Sequence, residues 1–267
     1  MSRRIRVRRH MWLLAPIVLA ACAGFLGPLA AGARTLEEAI ADGERAYAAA
    51  NLAEARQAYA DALQITPGHV ATLCRLSRVE SELGETQKGD AQRHTWSDAV
   101  AHAREAVRAA PDQAEPHVTL AVALGRQALR EGPKTRLALS KEIKAETDLA
   151  LKLDPNIGRA WHVLAMWNVK ISGLSGLEKM IANSVLGGVP KGASTANAEQ
   201  AFQKAIALEP DYINHRLEYG RLLLQLKRPD DARRELEKAI ALPPTSSALD
   251  PRFQAEAREL LDKLPKK

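Results

Sequence analysis

The chain is predicted to be all-α, a superhelix of about five stacked helical hairpins, and three observations predict it. Five prolines, Pro67, Pro111, Pro155, Pro210 and Pro244, each follow an alanine by five residues: Ala62, Ala106, Ala150, Ala205 and Ala239. Around these pairs runs a longer pattern, Ala55, Tyr59, Ala62, Pro67 in the first copy, Ala198, Phe202, Ala205, Pro210 in the fourth and Ala232, Leu236, Ala239, Pro244 in the fifth. Its spacings of four, three and five put two alanines and one bulky residue on a single helical face and end the helix at the proline. Each copy therefore reads as the second helix of a hairpin, with small side chains that let a neighbouring helix approach.

The elements follow in order. The first hairpin spans about Thr35 to Thr66 and turns at Asn51 and Leu52. A second begins near His69 and reaches Gly84. It leaves the pattern through the polar stretch Glu85 to His94, and Trp96 and Ala99 resume it. The third starts at Ala114 and is interrupted at Glu131, Gly132 and Pro133. It returns with Ser140 as the expected cap of a helix running through Ile143 to Leu153. In the fourth lies the longest insertion, Ile171 to Ser194. There Leu177, Met180, Ile181 and Val185 predict an amphipathic helix at about 175–187, ended by Gly187, Gly188 and Pro190. The fifth hairpin is the most regular. Beyond Pro243 and Pro244, Phe253, Ala257, Leu260 and Leu261 predict a capping helix at about 250–264 that covers the end of the stack.

This pattern resembles the tetratricopeptide repeat, whose first-helix signature is also present in part: Trp161, Leu164 and Ala165 in one hairpin, Tyr219 and Gly220 in the next, Gly43 in the first. Successive prolines lie 44, 44, 55 and 34 residues apart, so only the last interval has the 34-residue family period. The copy at Ile143, Thr147, Ala150 and Pro155 has lost two of the four signature positions. From Lys134 to Leu261 the chain is similar to something more particular. Leu153, Asp154, Pro155 and Asn156, then His162, Leu164 and Trp167, then the inserted Ser175, Gly176, Leu177, Glu178, Lys179, Ile181 and Ala182, and finally Ala201, Phe202, Ala205, Glu209, Pro210 and Asp211, resemble the regulator of microtubule dynamics family. The resemblance implies a repeat fold with a characteristic insertion. Eukaryotic members are associated with microtubules and organelle membranes, which makes filament binding one expectation.

Residues 1–33 read as an export signal. Arg3, Arg4, Arg6, Arg8 and Arg9 precede an apolar run from Met11 to Ala31 that contains no acid. Small residues at Ala31, Gly32 and Ala33 mark a cleavage site that would leave a chain 34–267 beginning at Arg34, a free periplasmic protein. Leu19, Ala20, Ala21 and Cys22 form a competing lipobox, in which Cys22 would be acylated and the protein anchored to the envelope. The downstream cut is favoured, because Phe25, Leu26 and Leu29 continue the apolar run where a lipoprotein has a polar tether. An uncleaved anchor is the third alternative, so any membrane contact is expected through this segment. The same arginines explain the net charge of +6. Without them 33 basic residues face 32 acidic ones, a balance of +1 that removes the electrostatic argument for nucleic acid.

No catalytic constellation, metal site or cofactor motif emerges. The seven histidines are scattered without the spacing of a zinc-binding helix, and Cys74 has no partner cysteine motif. The expected function is a non-catalytic scaffold that holds a protein or peptide partner in the groove lined by first helices. In the last two hairpins the candidate groove residues are Arg159, His162, Met166, Asn214, Leu217 and Arg221. A mixed basic and apolar groove of this kind suits a peptide with acidic residues, the guanidiniums forking onto carboxylates. Solvated arginines, with Met166 and Leu217 packed inside, are the plainer alternative. The inserted helix carries the same ambiguity: its apolar stripe either packs on the repeats or is free for a partner.

Overall fold

The computed structural model describes residues 34–185, 188–245 and 247–265, and leaves out the side chains of Ile181 and Val185. Arg34–Lys267 is one compact unit, and its described residues form helices without strands. The first hairpin pairs α1 (Leu36–Ala48) with α2 (Leu52–Ile65). Thr35 and Glu38 cap α1 reciprocally, and Asn51, placed at the turn by the sequence, accepts the Glu54 N–H to start α2.

In the next two hairpins the extra residues lengthen helices rather than forming loops. Helices α3 (Val70–Thr86) and α4 (Gly89–Ala109) are 17 and 21 residues long, and the polar stretch beginning at Glu85 interrupts them only at Gln87 and Lys88. The pair α5 (Ala114–Ala128) and α6 (Pro133–Leu153) repeats this arrangement. Here the cap expected at Ser140 is not found. Pro133, whose missing N–H costs nothing in the first turn, starts α6 seven residues earlier, and Ser140 donates from its interior to the Leu137 carbonyl at 2.7 Å.

The fourth hairpin is α7 (Gly158–Ser172) and α9 (Thr195–Leu208), separated by the inserted α8 (Gly176–Val185). Ser175 and Glu178 exchange hydrogen bonds across the first turn of α8, and beyond it Gly188 adopts φ +86°. Gly187, expected to help end this helix, lies outside the described residues. The chain finishes with α10 (Ile213–Gln225), α11 (Pro229–Ala241) and α12 (Asp250–Asp262). As the sequence predicts, Phe253 and Ala257 of α12 are buried, with Leu260 and Leu261 packed beside them.

The signature positions show why the hairpins stack. Ala55, Ala62, Ala198, Phe202, Ala205, Ala232, Leu236 and Ala239 are fully buried and Tyr59 nearly so. In three of the hairpins the bulky second-helix residue fills space left by a glycine on the paired first helix. A β-carbon on Gly43 would sit 2.5 Å from the Tyr59 ring, one on Gly84 2.3 Å from Trp96 Nε1, and one on Gly220 2.8 Å from Leu236. Tyr59, Trp96 and Leu236 therefore occupy equivalent places, and Gly84 belongs to the repeat signature.

The two ends of the array meet. One continuous apolar cluster joins Ala46, Tyr59, Leu76 and Val79 of the early helices to Ile213, Leu217, Leu249 and Phe253 of the late ones. Polar contacts run beside it. Tyr47 donates to both carboxylate oxygens of Glu82 at 2.9 and 3.0 Å and accepts the Ala248 N–H at 3.3 Å, while Arg252 donates to the Glu85 carbonyl at 3.2 Å. Helix α12 is thus more than an end cap, because its segment docks against the first two hairpins.

Gly84→Ala should destabilise the protein by about 1–3 kcal/mol, since the new methyl group collides with a buried indole that already donates to the Ser81 carbonyl. Gly125→Ala, inside α5 with nothing within 4 Å, should instead stabilise by about 0.5–1 kcal/mol through helix propensity alone. Urea denaturation of the two variants should give midpoints on opposite sides of wild type.

Candidate functional site

The concave interior is built by the first helices of successive hairpins, and its chemistry starts from their inward spacing. On α3, Arg78, Glu82 and Glu85 follow at intervals of four and three, one helical face. Arg78 lies over the Tyr47 ring at 4.8 Å and donates to Glu82 at 3.2 Å. Burial raises the Glu82 carboxyl above the usual carboxylate range, against the pull of Arg78 and Tyr47. Helix α5 adds Glu115 and Arg126, α7 adds Arg159 and His162, and α10 adds Asn214, Glu218 and Arg221. Tyr212, just before α10, faces the same interior. Its hydroxyl is pushed up by burial and acted on by Arg78, Glu82, Arg159 and Arg126 together.

Of the six residues selected from the sequence, five face this interior or its margin. Arg159, with 27% of its side chain exposed, grips both oxygens of Glu115 at 2.9 and 2.7 Å. Arg221 pairs with Glu218 at 2.6 Å and with Glu256 of α12. Met166 is half-buried against the cluster that contains Phe202 and Tyr219. Leu217 requires a correction: with no exposed surface, it belongs to the apolar cluster that joins the chain ends and lines nothing. The arginines were expected to be free for a partner's carboxylates, and they already hold carboxylates from this chain. Those glutamates lie 35 to 44 residues away in sequence, or three away in the case of Glu218. Only Glu218 was visible by spacing. The lining residues of α3 and α5 were missed because candidates were drawn from the last two hairpins; applying the first-helix face to every hairpin would have found Arg78 and Arg126.

His162 ends a hydrogen-bonded chain that runs from Glu209 through His215. His215 Nε2 lies 3.1 Å from Glu209 Oε2, and His215 Nδ1 lies 3.0 Å from His162 Nδ1. With Glu209 ionised, His215 carries its proton on Nε2 and accepts at Nδ1, so His162 must donate from Nδ1 and present Nε2 as an acceptor. The rings stack with centroids 4.9 Å apart, and Phe202 meets His162 edge-on at 5.5 Å. Burial, and then the neighbouring His215 and Arg126, hold His162 well below its ordinary value; burial also lowers His215.

A cavity of about 220 Å³ opens where α12 faces the α3–α4 corner. Asn214, 8% exposed, and Arg221 line it together with Arg126, Trp96, Leu129 and Phe253. The Asn214 Oδ1 atom has no hydrogen-bond partner. Elsewhere, burial pushes the Cys74 thiol up to about 11, the state of a packed, unreactive side chain. The inserted helix leaves Leu177 and Met180 61% and 58% exposed, so these two residues do not pack on the repeats. Among the described residues no group of three or more His, Cys, Asp or Glu is placed to hold a metal ion, and no helix is long and apolar enough to cross a membrane. Cys22 lies outside the described residues.

Comparison with known proteins agrees with this architecture. The family model described as Regulator of microtubule dynamics protein 1-3 matches residues 36–265. Regulator of microtubule dynamics protein 3 of Rattus norvegicus is 28% identical over 190 residues, 70% of this chain and 40% of the rat protein. Regulator of microtubule dynamics protein 1 of Caenorhabditis elegans is 30% identical over 191 residues, 72% of this chain and 84% of the relative. The chain therefore spans two fifths of the rat relative and most of the nematode one. Among solved structures, a thermophilic tetratricopeptide-repeat protein of Thermus thermophilus superposes with a TM-score of 0.63 at 16% identity, covering 85% of this chain and 99% of that one. Yeast Tom70 gives 0.50 at 14% identity, covering 85% of this chain and 40% of its own. At such identities the likeness is one of fold.

Because neutral His162 and His215 bind protons more weakly in the folded state than the ordinary 6.5, unfolding takes up protons at mildly acidic pH. Their contribution to stability is complete above about pH 6.5 and is lost as pH falls below it. His162→Gln should therefore show a smaller loss of melting temperature between pH 7.5 and 5.5 than wild type. Equal losses would place the titration elsewhere.

Proposed function

Because this chain belongs to the regulator of microtubule dynamics family, we propose that it is a non-catalytic adaptor that holds a protein partner against the concave face of its tetratricopeptide-repeat superhelix. The observation that carries this reading is the character of that face. Each first helix contributes polar and charged groups that remain within reach of solvent, whereas the second helices turn their alanines and aromatics into dry contacts. Surfaces of this composition recognise partners by hydrogen bonding and shape. Internal pairing of Arg159 and Arg221 argues against a strongly acidic partner, since such a partner would have to break existing ion pairs.

Export across a membrane through residues 1–33 completes the proposal, with a periplasmic adaptor released at Arg34 as the preferred form and an acylated Cys22 as the lipid-anchored form. The second reading is regulation of microtubules. The names of the rat and nematode relatives favour it, and it requires the repeats to be exposed to the cytosol. Fractionation followed by intact mass separates the three: a soluble chain beginning at Arg34, a membrane-bound chain beginning at modified Cys22, or an uncut chain with cytosolic repeats.

The adaptor reading itself is tested by placing a photo-crosslinking amino acid at Leu129, which is 53% exposed at the concave cavity, or at exposed Lys204 on the second-helix side. Illumination in cells should give a discrete protein adduct from position 129 and none from 204. The reverse pattern, or adducts from neither, would remove the concave face from the proposal.

A further inference from the structure

We propose that α8 docks on the surface of an anionic lipid bilayer, with Leu177 and Met180 entering the acyl boundary while the basic side chains around them meet the headgroups. The proposal goes beyond the adaptor reading and does not depend on what the concave face holds.

Spacing separates the two faces of α8. Leu177, Met180 and Ser184 follow at intervals of three and four, share one face and are all exposed. Ser184 donates to the Met180 carbonyl at 2.8 Å, so its hydroxyl is satisfied without water. The opposite face holds the helix in place: Ala182 is 5% exposed, and Lys179 donates to the Ser172 carbonyl at 3.3 Å. On either side of the helix, Leu174 and Val189 pack against the cluster that contains Trp167 and Ile171. Among the described residues Leu177 and Met180 are the two most exposed large hydrophobic side chains, and they project together one turn apart.

The charges nearby identify the partner. Trp167 Nε1 donates to the Ser140 carbonyl at 2.8 Å, which sets the first half of α6 beside the last half of α7, just before α8. The Ser175 hydrogen bonds, and beyond them the Arg136 charge, hold the Glu178 carboxyl below the usual carboxylate range, so the start of α8 also lies near the start of α6. Residues 133–141 and 167–194 carry Lys134, Arg136, Lys141, Lys170, Lys179 and Lys191 against Glu178 alone. This is a local net charge of +5 within a chain 34–267 whose balance is +1. Except for Lys179, these basic residues are exposed. An exposed apolar face among cations is the composition of a helix that lies in a bilayer interface and is drawn to anionic headgroups. A protein groove that takes a helix reads anchors over two turns, and the polar Ser184 stands where the anchor seven residues after Leu177 would be. A bilayer requires no such complement. Contact through α8 alone is weak and reversible, and residues 1–33 would add the second signal that stable attachment needs if they stay uncut or are acylated at Cys22.

Co-sedimentation of the chain 34–267, a compact unit without the apolar amino-terminal run, with vesicles tests this. It should pellet with vesicles of phosphatidylglycerol and phosphatidylcholine in equal parts and stay in solution with phosphatidylcholine alone. Raising salt from about 0.1 to about 0.5 M should release it. Leu177→Gln with Met180→Gln should weaken binding about tenfold or more through lost apolar burial, and Lys134→Ala with Lys191→Ala should do the same through lost charge. Leu149→Gln with Leu153→Gln, a second pair of exposed leucines, should bind like wild type. All six positions are exposed, and unchanged circular dichroism confirms that the variants fold. Absence of binding to the anionic vesicles, equal binding to both vesicle types, or binding that survives loss of Leu177 and Met180 would overturn the proposal. Each of these leaves the concave adaptor standing, because that reading is tested separately by crosslinking at position 129.

Discussion

Everything on the concave side depends on a buried carboxylate at the junction of the chain ends. Glu82 is 7% exposed, and it accepts from the Tyr47 hydroxyl, Arg78 and the Ser247 side chain while the Tyr47 oxygen accepts the Ala248 N–H. Residues 201 positions apart in the chain are joined through one phenol. Removing a carboxylate from water is costly unless its lone pairs are filled, so this joint is stable only as a complete set. Leu249 and Phe253, packed into the cluster shared with Leu76 and Val79, supply the apolar contact that keeps water out of it. A repeat array ordinarily contacts only its neighbours along the stack. Here first and last hairpins are also coupled, which makes the concave interior a partly enclosed space.

Enclosure changes what the arginines do. In an open groove a guanidinium faces water and is free to meet a partner's carboxylate. Bringing α12 opposite α3 and α5 places Glu256 and Arg252 against Arg221 and Glu85, and the charges neutralise one another across the gap. A self-paired interior has little charge left over to attract a partner from a distance. The arginines become part of the wall, each held by carboxylates of this chain.

The parts of this arrangement that the sequence made legible are those set within one hairpin. Ala55, Tyr59, Ala62 and Pro67 lie within a few turns of a single helix, so their spacing alone predicts which face is buried and where the helix stops. The end cap was legible for the same reason, from Phe253, Ala257, Leu260 and Leu261. Ser140 imitates a cap because a serine stands before an apolar run, whereas the stronger start signal is Pro133 after Gly132, a pair that also resembles an interruption. The closure was not legible at all. It depends on how each hairpin is set on the next along the whole array, and no local pattern encodes that sum. Burial of Leu217 follows from it: the spacing correctly placed this residue on the inner face of α10, but the fold brought another part of the protein to cover it.

The insertions belong to the same argument. Two of them are absorbed as extra helical turns, which lengthen the hairpins on which Glu85, Gln92 and Arg126 sit and carry those residues to the cavity. Gln92 shows the consequence: it donates to the Gly84 carbonyl at 2.7 Å and accepts from Arg130 at 2.6 Å, tying the corner of α3 and α4 to the end of α5. The third insertion forms a helix of its own, α8, whose Lys179 donates to the Ser172 carbonyl at 3.3 Å while Leu177 and Met180 stay outside the core. Additional length in this chain therefore serves two different ends. Where it extends a hairpin it shapes the interior wall, and where it adds a helix it builds surface that the repeats do not need for their own packing.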